Sequence, residues 1–152
     1  LEVIRKPEVE AETVHQEKNT MDNVKTIHEI YAAFGRGDIA AILDRLADTI
    51  EWEYGAATDG VPWLQPRRGR GEVAAFFESL RLLDIRKFIP KTLIEGPGVV
   101  VALIDVELTV KKTGKSIVEE DEVHLWHFDA EGRVIRFRHR VDTHQHVAAY
   151  RG

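Results

Sequence analysis

The sequence predicts an α+β domain, with helices packed on one face of a curved antiparallel sheet. Three observations carry this. Helical periodicity is confined to residues 23–83, strand signals fill residues 87–147, and neither a repeat nor a linker divides the 152 residues. A single domain of this length can bury a substantial core.

Residues 1–20 (LEVIRKPEVEAETVHQEKNT) are highly charged and read as an N-terminal arm, leaving residues 21–152 as the domain. From Asn23 to Phe34 the apolar residues Val24, Ile27, Ile30, Tyr31 and Phe34 recur at helical spacing, and Gly35 and Gly37 end that helix. Asp38 caps a second helix whose stripe is Ile39, Ile42, Leu43 and Leu46. Thr49–Tyr54 reads as a strand with Ile50, Trp52 and Tyr54 on one face, and the Gly- and Pro-rich residues 55–71 read as loop. A third helix is predicted over Glu72–Leu83. Strands follow at Lys87–Ile94, at Val99–Val110 and along the hairpin Ser116–Val147.

Composition narrows the function classes. Apolar content of 43% and charged content of 31% are those of an ordinary globular protein, and a net charge of −5 speaks against nucleic acid as a partner. Cysteine is absent, no apolar run reaches the length of a membrane span, and no secretory signal opens the chain, so a cytoplasmic protein with no membrane partner is expected. His144-Gln145-His146 places two imidazoles on one strand face, but the spacing matches no ligand motif, so no metal site is expected. Arg67, Arg68 and Arg70 read as a solvated basic run. Phosphate loops, nucleotide fingerprints and nucleophile elbows are absent.

Chemistry concentrates in the last hairpin. Alternation puts Ile135, Phe137, His139 and Val141 on one face of its second strand, and Glu122, His124 and Trp126 on the matching face of the first. A two-residue turn at Thr113-Gly114 would set Asp105 opposite Glu122. Symmetric closure at Asp129–Gly132 would set Glu122 opposite His139. The predicted cross-strand row is therefore Asp105–Glu122–His139, beside Leu103–His124–Phe137. Two carboxylates next to an imidazole suit proton transfer near neutral pH; the competing reading is an ion-pair network that braces the sheet. The opposite face carries Arg136, Arg138 and Arg140 among Ile104, Val106, Val123 and Leu125, and is expected to pair with a second copy in a homodimer.

Several motifs resemble a known superfamily. They are Gly37-Asp38-Ile39, Leu46-Ala47-Asp48 before Ile50-Glu51-Trp52, Gly69-Arg70 before Val73-Ala74-Ala75-Phe76-Phe77, and Phe128-Asp129-Ala130-Glu131-Gly132-Arg133-Val134. In order and spacing they are similar to the SnoaL-like, ketosteroid-isomerase-like branch of the nuclear transport factor 2-like superfamily, over residues 23–146. The resemblance implies a cone: a cystatin-like, barrel-shaped curved sheet around three helices, with one deep pocket, in a homodimer. It also places Ile30, Tyr54 and His124 where ketosteroid isomerases carry their Tyr and two Asp residues, with Tyr31 facing elsewhere. Of the Asp-Arg-Asp set of limonene-epoxide hydrolases it keeps only Asp105, with Leu103 and His139 at the other two positions. His139 also stands where SnoaL-type cyclases carry an acid/base Asp.

The expected activity is thus cofactor-free acid/base chemistry of isomerase, cyclase, dehydratase or hydrolase type on a small hydrophobic, ring-containing molecule. The alternative is a non-catalytic binding or dimerisation module. His139 is the expected acid or base, held by Asp105 and Glu122. His124 would donate to a substrate oxygen, and Tyr54 would assist. Trp52, Leu103, Trp126, Phe137 and Val141 are the expected ligand contacts.

Overall fold

The computed structural model describes residues 8–55 and 59–152, with side chains described from Asp22 onward. Residues 1–7 of the expected arm lie outside the described residues, and its remainder continues the first helix. That helix, α1 (Glu8–Arg36), turns Ile27, Ile30 and Ala33 into the core. It stops at Gly37, whose left-handed φ of 72° lets the amides of Gly37 and Asp38 reach back to the carbonyls of Phe34 and Ala33. Asp38 then accepts from the Ala41 amide (3.1 Å) and starts α2 (Ile39–Leu43).

β1 (Leu46–Trp52) follows. The predicted loop is partly ordered by a 3-10 turn at Pro62–Leu64, which buries Val61, Trp63 and Leu64, and by the short strand β2 (Arg67–Arg68). The basic run braces this region: Arg70 donates to the Leu46 carbonyl and Arg67 to that of Pro62. α3 (Gly69–Ser79) leads through a 3-10 turn into β3 (Leu83–Gly96), β4 (Val99–Val110), β5 (Ser116–Phe128) and β6 (Val134–Arg140). The strand order is β2-β1-β6-β5-β4-β3. The α+β class and curved sheet are as predicted, with two differences. The sheet is mixed rather than antiparallel, because β1 lies parallel to β6. Residues expected to extend the last strand instead form a fourth helix, α4 (Thr143–Arg151), capped by Asp142. His144 and His146 therefore do not share a strand face.

Both turn-based registers are shifted. The first hairpin closes between Val110 and Lys115 rather than around Thr113-Gly114, a slip of two residues that preserves the faces. A bulge then falls between Ile104 and Val106, where Asp121 adopts φ 60°, and this extra residue flips parity. Ile104, not Asp105, faces Glu122. Asp105 and Leu103 therefore lie on the outer face, while Ile104 and Val106, expected outside, are buried within. In the second hairpin a one-residue slip at the turn, where Phe128 faces Val134, and a bulge between His127 and Phe128 together place His139 opposite His124 and Phe137 opposite Trp126, with inward faces kept.

β6 ends at Arg140, so the first half of β5 lacks a strand on that side. α4 covers it. The Gln145 side chain accepts from the Val118 amide (2.7 Å) and donates to the Val118 carbonyl (3.1 Å), as a paired strand would. Gln145→Ala leaves both backbone groups without this partner, and a loss of about 1–2 kcal/mol in urea denaturation is expected. An unchanged midpoint would show that α4 is held by its apolar contacts alone.

Candidate functional site: a buried polar chain in an aromatic cavity

The bulge at Asp121 has a direct chemical consequence. On one side of it Ile117 and Glu119 point inward; on the other, Glu122, His124 and Trp126 do. Two carboxylates three positions apart, which an unbroken strand would send to opposite faces, thus enter the same interior. Lys91 holds the bulge from outside, with Nζ 2.7 Å from both Asp105 and Asp121. The Lys91 contact holds the Asp105 carboxyl below its ordinary range. Asp105 is therefore a clamp on the outer face and does not join the predicted row.

The interior is a cavity of ≈ 690 Å³, its mouth included, in which Glu122, His124, His139 and His146 are the polar exceptions among aromatic and aliphatic walls. Trp52, Trp126, Phe137 and Val141 line it as expected; Leu103 and Tyr54 do not. The aromatic wall is continuous, with Phe137 at 4.0 Å from Trp52 and 4.2 Å from Trp126 between ring centroids.

Hydrogen-bond polarity fixes the form of two imidazoles. The Trp126 indole can only donate, and it does so to the Tyr31 hydroxyl (2.9 Å). Tyr31 then gives its own proton to Nδ1 of His124 (3.0 Å), which leaves the His124 proton on Nε2, donated to Glu122 (2.8 Å). Every hydrogen in this chain has an acceptor only if His124 is neutral. Burial also presses the His124 pKa down, against the opposing pull of Glu122. Burial raises the Tyr31 hydroxyl far above its usual range, so Tyr31 is a fixed donor. The resemblance turns Tyr31 elsewhere, yet it lines the cavity beside Ile30, on the stripe that helical periodicity gives α1. With both nitrogens engaged, His124 is not the free donor to a substrate oxygen that the sequence suggested.

His146 repeats the pattern from α4. The Trp63 indole donates to its Nδ1 (2.9 Å), so its proton sits on Nε2 and goes to Glu119 (2.8 Å), which also accepts from the Asp142 amide.

His139 differs from both. Its backbone amide donates to Glu53 (2.8 Å), and the same carboxylate oxygen forms an ion pair with Nδ1 of the ring. Glu53 gets there by a backbone reversal. β1 stops at Trp52, and Glu53 takes φ 52°, which swings its carboxylate inward. Tyr54 goes outward, where its ring stacks 3.8 Å from the Arg136 guanidinium and its hydroxyl meets His127. Burial works against a charge on His139, but Glu53, joined by the more distant Glu122 and Glu119, overcomes it and pushes the pKa up to about 9. Glu122 is held below the usual carboxylate range: burial opposes its ionisation, and the His124 hydrogen bond and nearby imidazole charge win. The site thus presents one imidazolium and an ionised carboxylate on an aromatic floor.

Sequence reasoning missed Glu53 and Glu119. The alternation Ile50-Trp52-Tyr54 concealed the reversal at Glu53. Glu119 had a signal: Ile117 and Trp126 are both core-type residues at positions of opposite parity, which requires a bulge between them.

This architecture, an α+β cone around an aromatic pocket with an acid/base floor, finds its match in a defined class. Residues 27–137 match the SnoaL-like domain family, and the chain belongs to it. Its fold is that of an NTF2-like protein of unknown function from Burkholderia pseudomallei K96243, with 26% identity, a TM-score of 0.75, and coverage of 86% of this chain and 98% of that chain. TerC co-crystallised with polyporic acid is similar at 22% identity and a TM-score of 0.72, covering 86% of this chain and 99% of that one. A candidate polyketide cyclase from Xanthomonas campestris pv. campestris shares 17% identity at a TM-score of 0.65, over 87% and 98% of the two chains. Among curated proteins no match is found. No helix of the described residues is long and apolar enough to cross a membrane.

The raised His139 pKa sets a pH dependence of stability. A group whose pKa is about 9 folded and about 6.5 unfolded stabilises fully below pH 6.5 and loses that contribution as pH rises through 9. The free energy of unfolding is expected to fall across this window by an amount on the order of 3 kcal/mol, read from denaturation midpoints at each pH. In His139→Gln the slope should flatten, whereas Asp105→Ala should leave it unchanged. Equal slopes for wild type and His139→Gln would mean that Glu53 does not hold a charged ring.

Proposed function

We propose that this protein is a SnoaL-like enzyme performing cofactor-free acid/base chemistry on a ring-containing small molecule, with His139 as the proton donor. The observation that carries the proposal is the buried Glu53–His139 pair, whose imidazole lines the aromatic cavity. An imidazolium in a low-dielectric site donates to a substrate atom that gains electron density and returns to the neutral ring as it does so. Glu53 orients it and replaces Asp105 in that role. Glu122 offers a carboxylate oxygen to the opposite end of the substrate, and Trp52, Trp126 and Phe137 take up its rings. Isomerisation, cyclisation, dehydration and hydrolysis all need such a donor. A homodimer through the outer sheet face is part of the same proposal, since Val101, Leu103, Val123 and Leu125 leave an apolar ground there.

One observation favours a second reading, a non-catalytic ligand-binding module: both nitrogens of His124 and of His146 are engaged within the wall.

A proton-transfer site betrays itself before its substrate is known. Cyclic enones and 1,3-diketones, followed by NMR for uptake of solvent deuterium, should exchange faster with the protein than without it. The rate should fall as pH rises through about 9, and His139→Gln should lower it roughly a hundredfold. Binding without exchange across the panel would favour the module. Exchange that survives intact in His139→Gln would remove His139 from the chemistry.

A further inference from the structure

A second cavity adjoins the aromatic one. It encloses ≈ 540 Å³, its mouth included, and shares Leu64, His139 and Val141 with the first. His139 thus stands where the two spaces meet. The second cavity is polar where the first is aromatic: Glu53, Arg138, Arg140 and Thr143 complete its lining.

Sheet topology makes room for it. β1 ends at Trp52, opposite Phe137, while β6 runs on to Arg140. Past Phe137 no described strand pairs with that edge of β6, and the Glu53 carboxylate takes the His139 amide instead. The α4 helix begins at Thr143, so its first residue lines the gap.

The charges around this space do not cancel. Glu53 is matched by the His139 imidazolium. Of the three arginines on β6, Arg136 pairs with Glu51 (3.3 Å). Arg138 and Arg140, the two that line the cavity, meet neither a carboxylate nor another acceptor among the described residues. Arg138 is nevertheless held in place. Its guanidinium lies against Gly55, where an added Cβ would come within 2.3 Å of Nη1, and its Cζ sits 5.7 Å from the centre of the Tyr54 ring. A half-buried guanidinium that is fixed by packing and lacks an acceptor is set up to bind an anion.

We infer that the polar cavity is an oxyanion subsite, taking a carboxylate or phosphate group of the same ligand whose ring fills the aromatic cavity, with Arg138 and Arg140 as donors. This names the ligand class of the site proposed above and rests on the aromatic cavity being a ligand pocket. A ligand spanning both spaces passes His139 at the bond between its ring and its anion, which places the transferred proton there. Glu122, ionised in the aromatic cavity, disfavours the reversed orientation. The apolar ground of the proposed dimer lies on β4 and β5, whereas this cavity lies at the open edge of β6.

Calorimetry at pH 7 compares 1-naphthylacetate and 1-naphthylmethyl phosphate with the neutral 1-naphthylacetamide. At least one anion is expected to bind roughly tenfold or more tightly than the amide, and the larger gain identifies the oxyanion. In Arg138→Gln and in Arg140→Gln that advantage should shrink while the amide binds as before. Should Arg138→Gln not fold, the exposed Arg140→Gln carries the comparison alone. Arg136→Gln, which removes the partner of Glu51, should leave the advantage unchanged. An amide that binds as tightly as both anions overturns the inference and leaves the aromatic pocket standing. So does an anion advantage that persists in full without Arg138 and Arg140, or one that falls equally in Arg136→Gln. Failure of all three probes to bind overturns both the inference and the pocket.

Discussion

One extra residue in β5 determines what the cavity contains. Asp121, at φ 60°, breaks the two-residue alternation so that Glu119 and Glu122 both turn inward instead of to opposite sides of the sheet. Most other features of the interior follow from that placement. Two buried carboxylates demand donors, and His146 and His124 supply them. Those imidazoles in turn need their second nitrogens occupied, and Trp63 and Tyr31 do this from a loop and from α1. The polar chain therefore ties α1, the 3-10 turn and α4 to the middle of the sheet. The bulge itself is stabilised outside, by the Lys91 bridge to Asp105 and Asp121.

The three interior histidines show how environment assigns different roles to one side chain. His146 meets the Trp63 indole, which can only donate, and His124 meets the Tyr31 hydroxyl, which already accepts from Trp126 and has its own proton to give; each ring therefore carries its proton on Nε2. His139 meets only a carboxylate and is held charged. The distinction rests on neighbours that are chemically simple: two indoles and a phenol against one glutamate. The αL conformation of Glu53 is needed for this. A continued β1 strand would have sent its carboxylate outward and presented Tyr54 to the cavity instead.

The α+β class, the order of elements and the aromatic inner face were legible because period-2 and period-3.6 patterns survive local irregularity. Phe137 and His139 stay inward because the second hairpin slips by one residue at its turn and gains one more at a bulge between His127 and Phe128, an even total. Asp105 and Leu103 were lost because the first hairpin slipped by an even number and then gained one bulged residue. A turn signal fixes where a hairpin closes but carries no information about bulges further along. Glu53 was hidden for a related reason, since Gly55 hinted at a turn but alternation through Tyr54 argued for a longer strand. Helical periodicity puts Tyr31 on the buried stripe of α1, whereas the resemblance sets Ile30 at the family's tyrosine position and turns Tyr31 elsewhere; the structure agrees with the periodicity. The fourth helix was missed where the His-rich residues 143–147 carry no strong apolar period.

The charge pattern of the three interior histidines is the point on which everything above converges, and ¹⁵N NMR of histidine-labelled protein at about pH 7.5 reads it directly. His139 is expected to show two protonated nitrogens, and His124 and His146 one each, at Nε2. A neutral His139 at that pH, or a doubly protonated His124, would contradict the assignment of the buried charge and with it the acid role of His139.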